Sequence, residues 1–395
     1  LLVLKEVYVA GGMRTPFGSF NGALADLSAP QLGSLAIRAA LQKAGVDPRE
    51  IDEVLFGNVI GAGLGQNVAR QASLGAGLGV EVGATTINKV CGSSLRAVIL
   101  AAQAIQCGDA RLVAAGGCES MTGAPYLLRR ARSGYRMGHG ELVDSMIHDG
   151  LWDVYTGRHM GTCGDLCAKK YNISREEQDT YAIESYTRAI KAWEDGFFAS
   201  EVTPVEVKSK KATTVVDRDE DVAKFHGEEK LRALPPAFGP ESTITAGNAS
   251  KINDGAAAMI VFDNEAKKAL GLRPAARILG HANVAMESDW FTIAPIYAIR
   301  KLCEQLKIKP GDIDLFEINE AFSVVALVAI RELKLDRNRV NVAGGAVAMG
   351  HPIGATGARI VNTLIRAMER QNKTMGIACL CIGGGEASAI ALERV

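Results

Sequence analysis

The sequence predicts a layered α/β fold that is built twice and interrupted once. Three observations carry this. Strand-like and helix-like segments alternate through the first 115 residues, the pattern of helices packed on a sheet. A short motif recurs 262 residues apart, and the same order of elements follows each copy. Between the copies, residues 120–249 change in texture, with long polar helix patterns and runs of charge.

Each element has a local reason. Residues 5–10 read as a strand. Ala29–Ala44 reads as a helix, with Leu32, Leu35, Ala36 and Ala39 on one face. Residues 53–59 and 84–90 read as strands. Residues 93–106 read as a helix, because Leu95, Val98, Ile99, Ala102 and Ile105 keep helical spacing, and 111–115 as the next strand. The repeat pairs Pro48-Arg49-Glu50-Ile51-Asp52 with Pro310-Gly311-Asp312-Ile313-Asp314. An apolar run and an asparagine follow each, Asn58 and Asn319. Gly92 and Gly354 recur at the same interval, ahead of helices whose following strands end in Gly116-Gly117 and Gly383-Gly384-Gly385. In the insertion, Ser174 and Glu177 form a capping box that opens a helix to about Glu194, ended by Gly196. The charge runs 208–211 and 217–221 read as solvated surface. The expected division is an N-terminal half at 1–120 completed by about 250–274, an inserted loop domain at 121–249, and a C-terminal half at 275–395.

Composition excludes several classes. Lys plus Arg and Asp plus Glu are both 44, so the basic excess of a nucleic-acid or anionic-membrane binder is missing. No run matches the roughly 18–20 apolar residues of a membrane span. No secretory signal is read at the start, and Glu393-Arg394-Val395 is not a peroxisomal tripeptide. Eight cysteines are too few for a disulfide scaffold in 395 residues, and they fit a reducing compartment with functional thiols.

Four segments can carry chemistry. Cys91, in Asn88-Lys89-Val90-Cys91-Gly92-Ser93-Ser94, stands where a strand passes into a helix. Partial positive charge there favours a thiolate, so Cys91 reads as a nucleophile or as a buried structural thiol. His351 lies in a glycine-rich run from Gly344 to Gly357, placed to take a proton from a thiol. Cys379 and Cys381 fall on one face of a strand, before glycines whose N–H groups could cradle an oxyanion. Asn319, in Glu317-Ile318-Asn319-Glu320-Ala321-Phe322, reads as a polar site group or a helix N-cap. His159, Cys163 and Cys167 keep an i, i+4, i+8 spacing but lack a fourth ligand, so no metal is expected.

Together these motifs resemble the thiolase family, in its acetoacetyl-CoA-forming type. The likeness rests on Asn-Lys-Val-Cys-Gly-Ser-Ser at Cys91, Asn-Glu-Ala-Phe at Asn319, Gly-His-Pro-Ile-Gly-Ala-Thr-Gly-Ala-Arg from Gly350 and Cys-Ile-Gly-Gly-Gly from Cys381. It spans essentially the whole chain. The resemblance implies a duplicated five-layered αβαβα core with an inserted loop domain. It implies that Cys91 carries the acyl group, His351 accepts its proton and Cys381 is the acid/base on the second substrate. Asn319, through a water, and His351 would form one oxyanion site; the N–H groups of Cys91 and Gly383 would form the other. Leu151, His159, Met160, Phe238, Ala246, Ser250, Ala321 and Phe322 would line the coenzyme A tunnel. Acetyl-CoA, acetoacetyl-CoA and CoA would be the partners, with no permanently bound cofactor, no nucleic acid and no membrane. A homotetramer, as a dimer of dimers, would follow from the 121–144 stretch. The expected location is the cytoplasm, or the mitochondrial matrix in a eukaryote. The chain departs from the family pattern at Ala343, at Phe291 beside the acyl pocket, at Lys251 where glycine is common and at Glu386 where a neutral residue is usual. Lys224 is the candidate for the CoA phosphate.

Overall fold

The computed structural model describes residues 5–208 and 212–395; the charge run at 208–211 therefore lies mostly outside the described residues. One sheet runs through the molecule. Its strands are β1 (Val7–Arg14), β2 (Glu53–Gly57), β3 (Gly83–Ile87), β4 (Leu112–Ser120), β5 (Asn253–Asp263), β6 (Ala276–Ala285), β7 (Leu315–Ile318), β8 (Met375–Ile382) and β9 (Glu386–Arg394). They lie in the order β7-β8-β9-β6-β1-β5-β4-β2-β3, and Gly18–Ser19 pairs on β5. The halves join where Tyr8 faces Arg277 and Val9 faces Ala276. Within each half the inner pairs are antiparallel and the outer ones parallel: β5 on β4 against β4 on β2, β9 on β8 against β8 on β7.

Alternation along the strands builds the layers. In β4, Leu112, Ala114 and Cys118 join a core with helices α1 (Ala29–Ala44) and α2 (Val68–Ala76). Val113 and Ala115 point the other way, into a central core with α3 (Ser93–Cys107) and α8 (Thr356–Arg370). In β8, Ala378, Leu380 and Ile382 join that central core. Ile377, Cys379 and Cys381 face a third core with α4 (Met160–Tyr171), α6 (Ala294–Leu306) and α7 (Ser323–Leu333). The result is helix, sheet, helix, sheet, helix. The window Val90–Cys107 has a mean hydropathy of 1.3, enough by length and composition for a membrane span. Here it serves as α3, between the two halves of the sheet, with Leu95, Val98 and Ile105 fully buried. Cutting such a side chain to alanine costs about 2–5 kcal/mol.

The sequence places the elements well and their ends less well. The strand expected at 111–115 runs on to Ser120, and the one expected at 84–90 stops at Ile87. The insertion contributes α5 (Arg175–Glu194), opened by the expected capping box. Its Ala182, Tyr186 and Ala189 pack into the central core. The fully buried Arg14 fastens the insertion to β1, through Asp219 at 2.7 and 2.9 Å and Glu201 at 2.7 Å.

Candidate active site

The turn before α3 is strained by design of its hydrogen bonds. Val90 has φ of 47°, a left-handed conformation that costs a β-branched residue about 1–3 kcal/mol. Lys89 N–H donates to Ser93 Oγ at 2.9 Å, Ser93 Oγ–H to Val90 O at 2.6 Å, and Gly92 N–H to Lys89 O at 3.0 Å. Gly92 has no room for a side chain, since a Cβ would meet Ile382 Cδ1 at 2.4 Å. This turn brings the half-buried Cys91 against the end of β8. The backbone N–H groups of Gly383 and of Cys91 itself favour its thiolate. Burial nevertheless pushes the Cys91 thiol up to about 11. The thiolate expected from the helix N-terminus is thus not the resting form: desolvation outweighs the dipole and both N–H groups.

His351 follows Gly350, whose φ of 107° and contact with Asn253 exclude a side chain. His351 N–H donates to Asn253 Oδ1 at 3.0 Å. Thr356 Oγ1 donates to Pro352 O at 2.9 Å and lies 2.7 Å from His351 Nδ1. The Thr356 hydrogen is thereby committed, so Nδ1 is the ring donor and Nε2 keeps a bare lone pair. Nε2 has no protein partner. Burial, then the Arg359 charge, hold the His351 pKa down to about 3, so the ring rests neutral.

Two buried carboxylates hold the His351 loop from opposite sides. Glu320 accepts Val347 N–H at 3.1 Å, Tyr181 and Ser185 hydroxyls at 2.8 Å, and Asn341 Nδ2 at 3.0 Å. Glu119 accepts Gly354 N–H at 2.9 Å, together with Asn58 Nδ2, Val59 N–H and Ile60 N–H at 2.8–3.1 Å. Sequence reading missed Glu119. Its one signal was a charge within the otherwise uncharged strand Leu112–Ser120.

Asn319 is 1% exposed, and neither atom of its amide has a protein partner. It is not a helix cap; Phe322 occupies that position for α7. Its backbone N–H is fixed by Cys379 O at 2.9 Å. Cys381 is fully buried, and burial, then the neighbouring Cys91, hold its thiol well above the usual range. Cys379 shares the face but reaches Pro295 O at 3.8 Å, toward α6. Gly384 and Gly385 turn the chain with φ of 86° and 90°.

The expected coenzyme A contacts come from several loops. His159 caps α4 through Gly161 N–H at 3.1 Å, and its ring lies 4.6 Å from that of Phe238. Met160 reaches to Gly383. Leu151 ends a π-helical turn over 146–151. Ser250 N–H donates to Ala321 O at 2.9 Å, and Ala249 bridges Phe322. Ala246 lines a cavity of about 220 Å³ with Lys224, His226, Lys230 and Lys251. A groove of about 720 Å³ passes Val90, Met160, Gly383 and Gly384. At its edge Lys89 pairs with Glu386. Phe291 is buried in the same core as Cys381 and Phe322. The i, i+4, i+8 trio does not come together as a ligand set: among the described residues Asp153, Cys163 and Asp289 converge within 4.8 Å, without His159 or Cys167.

Comparison with known proteins agrees along the chain. Residues 7–265 match the profile "Thiolase, N-terminal domain" and residues 272–394 match "Thiolase, C-terminal domain". "Acetyl-CoA acetyltransferase 2" of Arabidopsis thaliana is 49% identical over 98% of this chain and 97% of its own. "Acetyl-CoA acetyltransferase" of Escherichia coli is 47% identical over 99% and 100%. The crystal structure of the Bacillus anthracis acetyl-CoA acetyltransferase superposes with a TM-score of 0.98 at 39% identity, covering 100% of both chains. An Ascaris suum thiolase in complex with coenzyme A superposes with a TM-score of 0.93 at 45% identity, covering 99% of this chain and 100% of that one.

Proposed function

The chain belongs to the thiolase family, and from that premise we infer a CoA-dependent acyltransferase that condenses two acetyl-CoA molecules into acetoacetyl-CoA and CoA, with thiolysis as the reverse. One observation carries the reading of the site: the bare atoms of Asn319 and His351 are buried polar groups without partners, a costly arrangement unless a ligand or water fills it.

The proton balance assigns the roles. His351 Nε2 takes the Cys91 proton as the sulfur attacks the first thioester carbonyl. The N–H groups of Cys91 and Gly383, which lie close enough to favour the Cys91 thiolate, would receive the developing oxyanion. The departing CoA thiolate takes the proton of Cys381, leaving acetyl-Cys91, protonated His351 and a Cys381 thiolate. Cys381 then removes the α-proton of the second acetyl-CoA. Asn319, through a water, and protonated His351 hold the enolate oxygen while its carbon attacks acetyl-Cys91. The released Cys91 sulfur recovers its proton from His351, and all three groups return to their starting states.

The pantetheine would pass Leu151, His159, Met160, Phe238, Ala246, Ser250, Ala321 and Phe322. Lys224 and Lys230, on the cavity beside Ala246, suit the CoA phosphates. Coenzyme A is then substrate and product, with no permanently bound cofactor. Buried Phe291 suits a short acyl pocket. Thiolysis of acetoacetyl-CoA against 3-ketoacyl-CoAs of rising length tests this; a higher kcat/KM on long chains would overturn it. Tyr126, Leu128, Met137 and Leu142 are exposed apolar side chains on the 121–144 stretch, which supports a homotetramer. Light scattering at micromolar concentration would give four chains; a monomer would exclude it. Eight free cysteines suit the cytoplasm or the mitochondrial matrix.

A further inference from the structure

The N–H groups of Cys91 and Gly383 belong to two turns from opposite halves of the molecule. One runs through 88–92, just before α3; the other runs through 382–386, where β8 passes into β9. Each is held from within its own half. Asn88 Oδ1 accepts Val90 N–H at 3.0 Å, and Asn88 Nδ2 donates to Val59 O at 3.3 Å. Glu386 faces Ile382 across the β8–β9 pairing, and Gly385 O accepts Met286 N–H at 2.8 Å. Between the turns, Gly92 lies against Ile382, and a Cβ on Gly383 would meet Val90 Cγ1 at 3.5 Å. Such apolar contacts limit how close the turns come, but they are non-directional and give little resistance to sliding.

One pair of charges crosses from turn to turn. The Lys89 ammonium donates to Glu386 Oε2 in a close ion pair. Lys89 stands two residues before Cys91, and Glu386 three residues after Gly383. Among the described residues neither forms another ion pair. Both are half-buried, on the wall of the groove of about 720 Å³ that passes Met160. A pair this accessible adds at most about 1 kcal/mol to stability. Its weight falls on aim instead, since a displacement of about 1 Å at a reacting centre can cost about a hundredfold in rate.

We propose that Lys89 and Glu386 are a positioning pair, whose ion pair sets the turn 382–386 against the turn 88–92 and so keeps the Gly383 and Cys91 N–H groups trained on one oxyanion. This rests on the reading of those two N–H groups as the oxyanion site of acyl transfer. Both side chains act through the backbone of their turns rather than on substrate.

The test is acetoacetyl-CoA thiolysis by the full chain. Glu386→Gln and Lys89→Met should each lower kcat about fivefold, with KM changed by less than about twofold. The two changes together should be no worse than either alone, because the second removes nothing that the first has left. Lys89→Glu or Glu386→Lys alone sets like charges together and should lower kcat about twentyfold, whereas both reversals in one chain should bring it back to within about twofold of the wild type. The rate at which acetyl-Cys91 forms from acetyl-CoA, followed by quenched-flow mass spectrometry, should fall in the same order across the variants. Additive losses in the doubly neutral variant, or a doubly reversed chain as slow as its single reversals, would overturn the proposal. So would an acylation rate that stays at the wild-type value, or a kcat unchanged in both neutral variants. A loss confined to KM would overturn it too, by making the pair a substrate contact. Failure of the wild-type chain to cleave acetoacetyl-CoA would instead overturn the functional reading beneath it.

Discussion

The two halves of the molecule share an anchor and diverge beyond it. In the N-terminal half, Asp52 Oδ2 accepts the N–H groups of Arg111 at 2.7 Å and Leu112 at 3.0 Å. In the C-terminal half, Asp314 Oδ2 accepts those of Thr374 and Met375, both at 3.0 Å. Counting from these anchors makes Gly57 the counterpart of Asn319 and Cys118 the counterpart of Cys381. Their surroundings differ. Gly57 is pressed against the backbone of Ser94 and Gly354, where a Cβ would meet atoms at 2.6–2.7 Å. Asn319 instead keeps a side chain with both polar atoms free. Cys118 is sealed under α1, beside Gly33, whereas Cys381 lies beside Cys91. Where the N-terminal half has strand β3, the C-terminal half keeps a single bridge, Phe316 to Val340, and then runs into the His351 loop. Duplication supplied equivalent positions. Chemistry settled at those where packing left a polar group unmatched.

The thiols give the sharpest way to break this comparison. Cys91→Ala should abolish acylation and lower turnover by at least about a thousandfold. Cys381→Ala should still take an acetyl group from acetyl-CoA, seen by mass spectrometry, yet fail at condensation. Cys118→Ala, at the equivalent place, should change kcat by less than about twofold and cost roughly 1 kcal/mol of stability through one lost small side chain. Equal losses from Cys118→Ala and Cys381→Ala would show that the halves are not divided in this way.

A smaller effect should follow from loosening the His351 loop on the side of the N-terminal half. Glu119→Gln keeps the volume but cannot accept from four donors as a carboxylate does. We expect kcat to fall about tenfold and KM to change less, because Glu119 bonds directly to the His351 loop and to none of the side chains expected to contact coenzyme A. An unchanged kcat would leave Glu119 a purely structural tie.

The smallest effect concerns the resting thiol. Because burial raises the Cys91 pKa to about 11, the proton stays on through neutral pH. Alkylation of Cys91 by iodoacetamide should therefore climb close to tenfold per pH unit from 7 to 10, without the levelling near 8.5 of a free thiol. Linkage has the same sign. The folded chain keeps this proton between its ordinary pKa of 9.0 and about 11, so the stability it contributes is whole below that window and falls as pH rises through it. A rate plateau below pH 8 would show that the helix N-terminus does hold a thiolate.

Much of this molecule is decided locally. The period of Leu95, Val98, Ile99, Ala102 and Ile105 fixes α3, and Ser174 with Glu177 fixes the start of α5, because spacing and capping act over a few residues. The four motifs mark Cys91, Asn319, His351 and Cys381 for the same reason: each stands at a turn whose glycines or caps are near it in the chain. Tertiary structure decided what depends on neighbours distant in sequence. Only the fold brings Gly383 close enough to Cys91 to favour its thiolate, and only desolvation by surrounding elements turns an expected thiolate into a protonated thiol. Glu119 and Gly354 are 235 residues apart, so no local pattern announces their bond. Lys89 and Glu386 are 297 residues apart, and their ion pair likewise exists only in the fold. Hydrogen bonds, burial and charge act through space, and that distance appears only once the chain has folded.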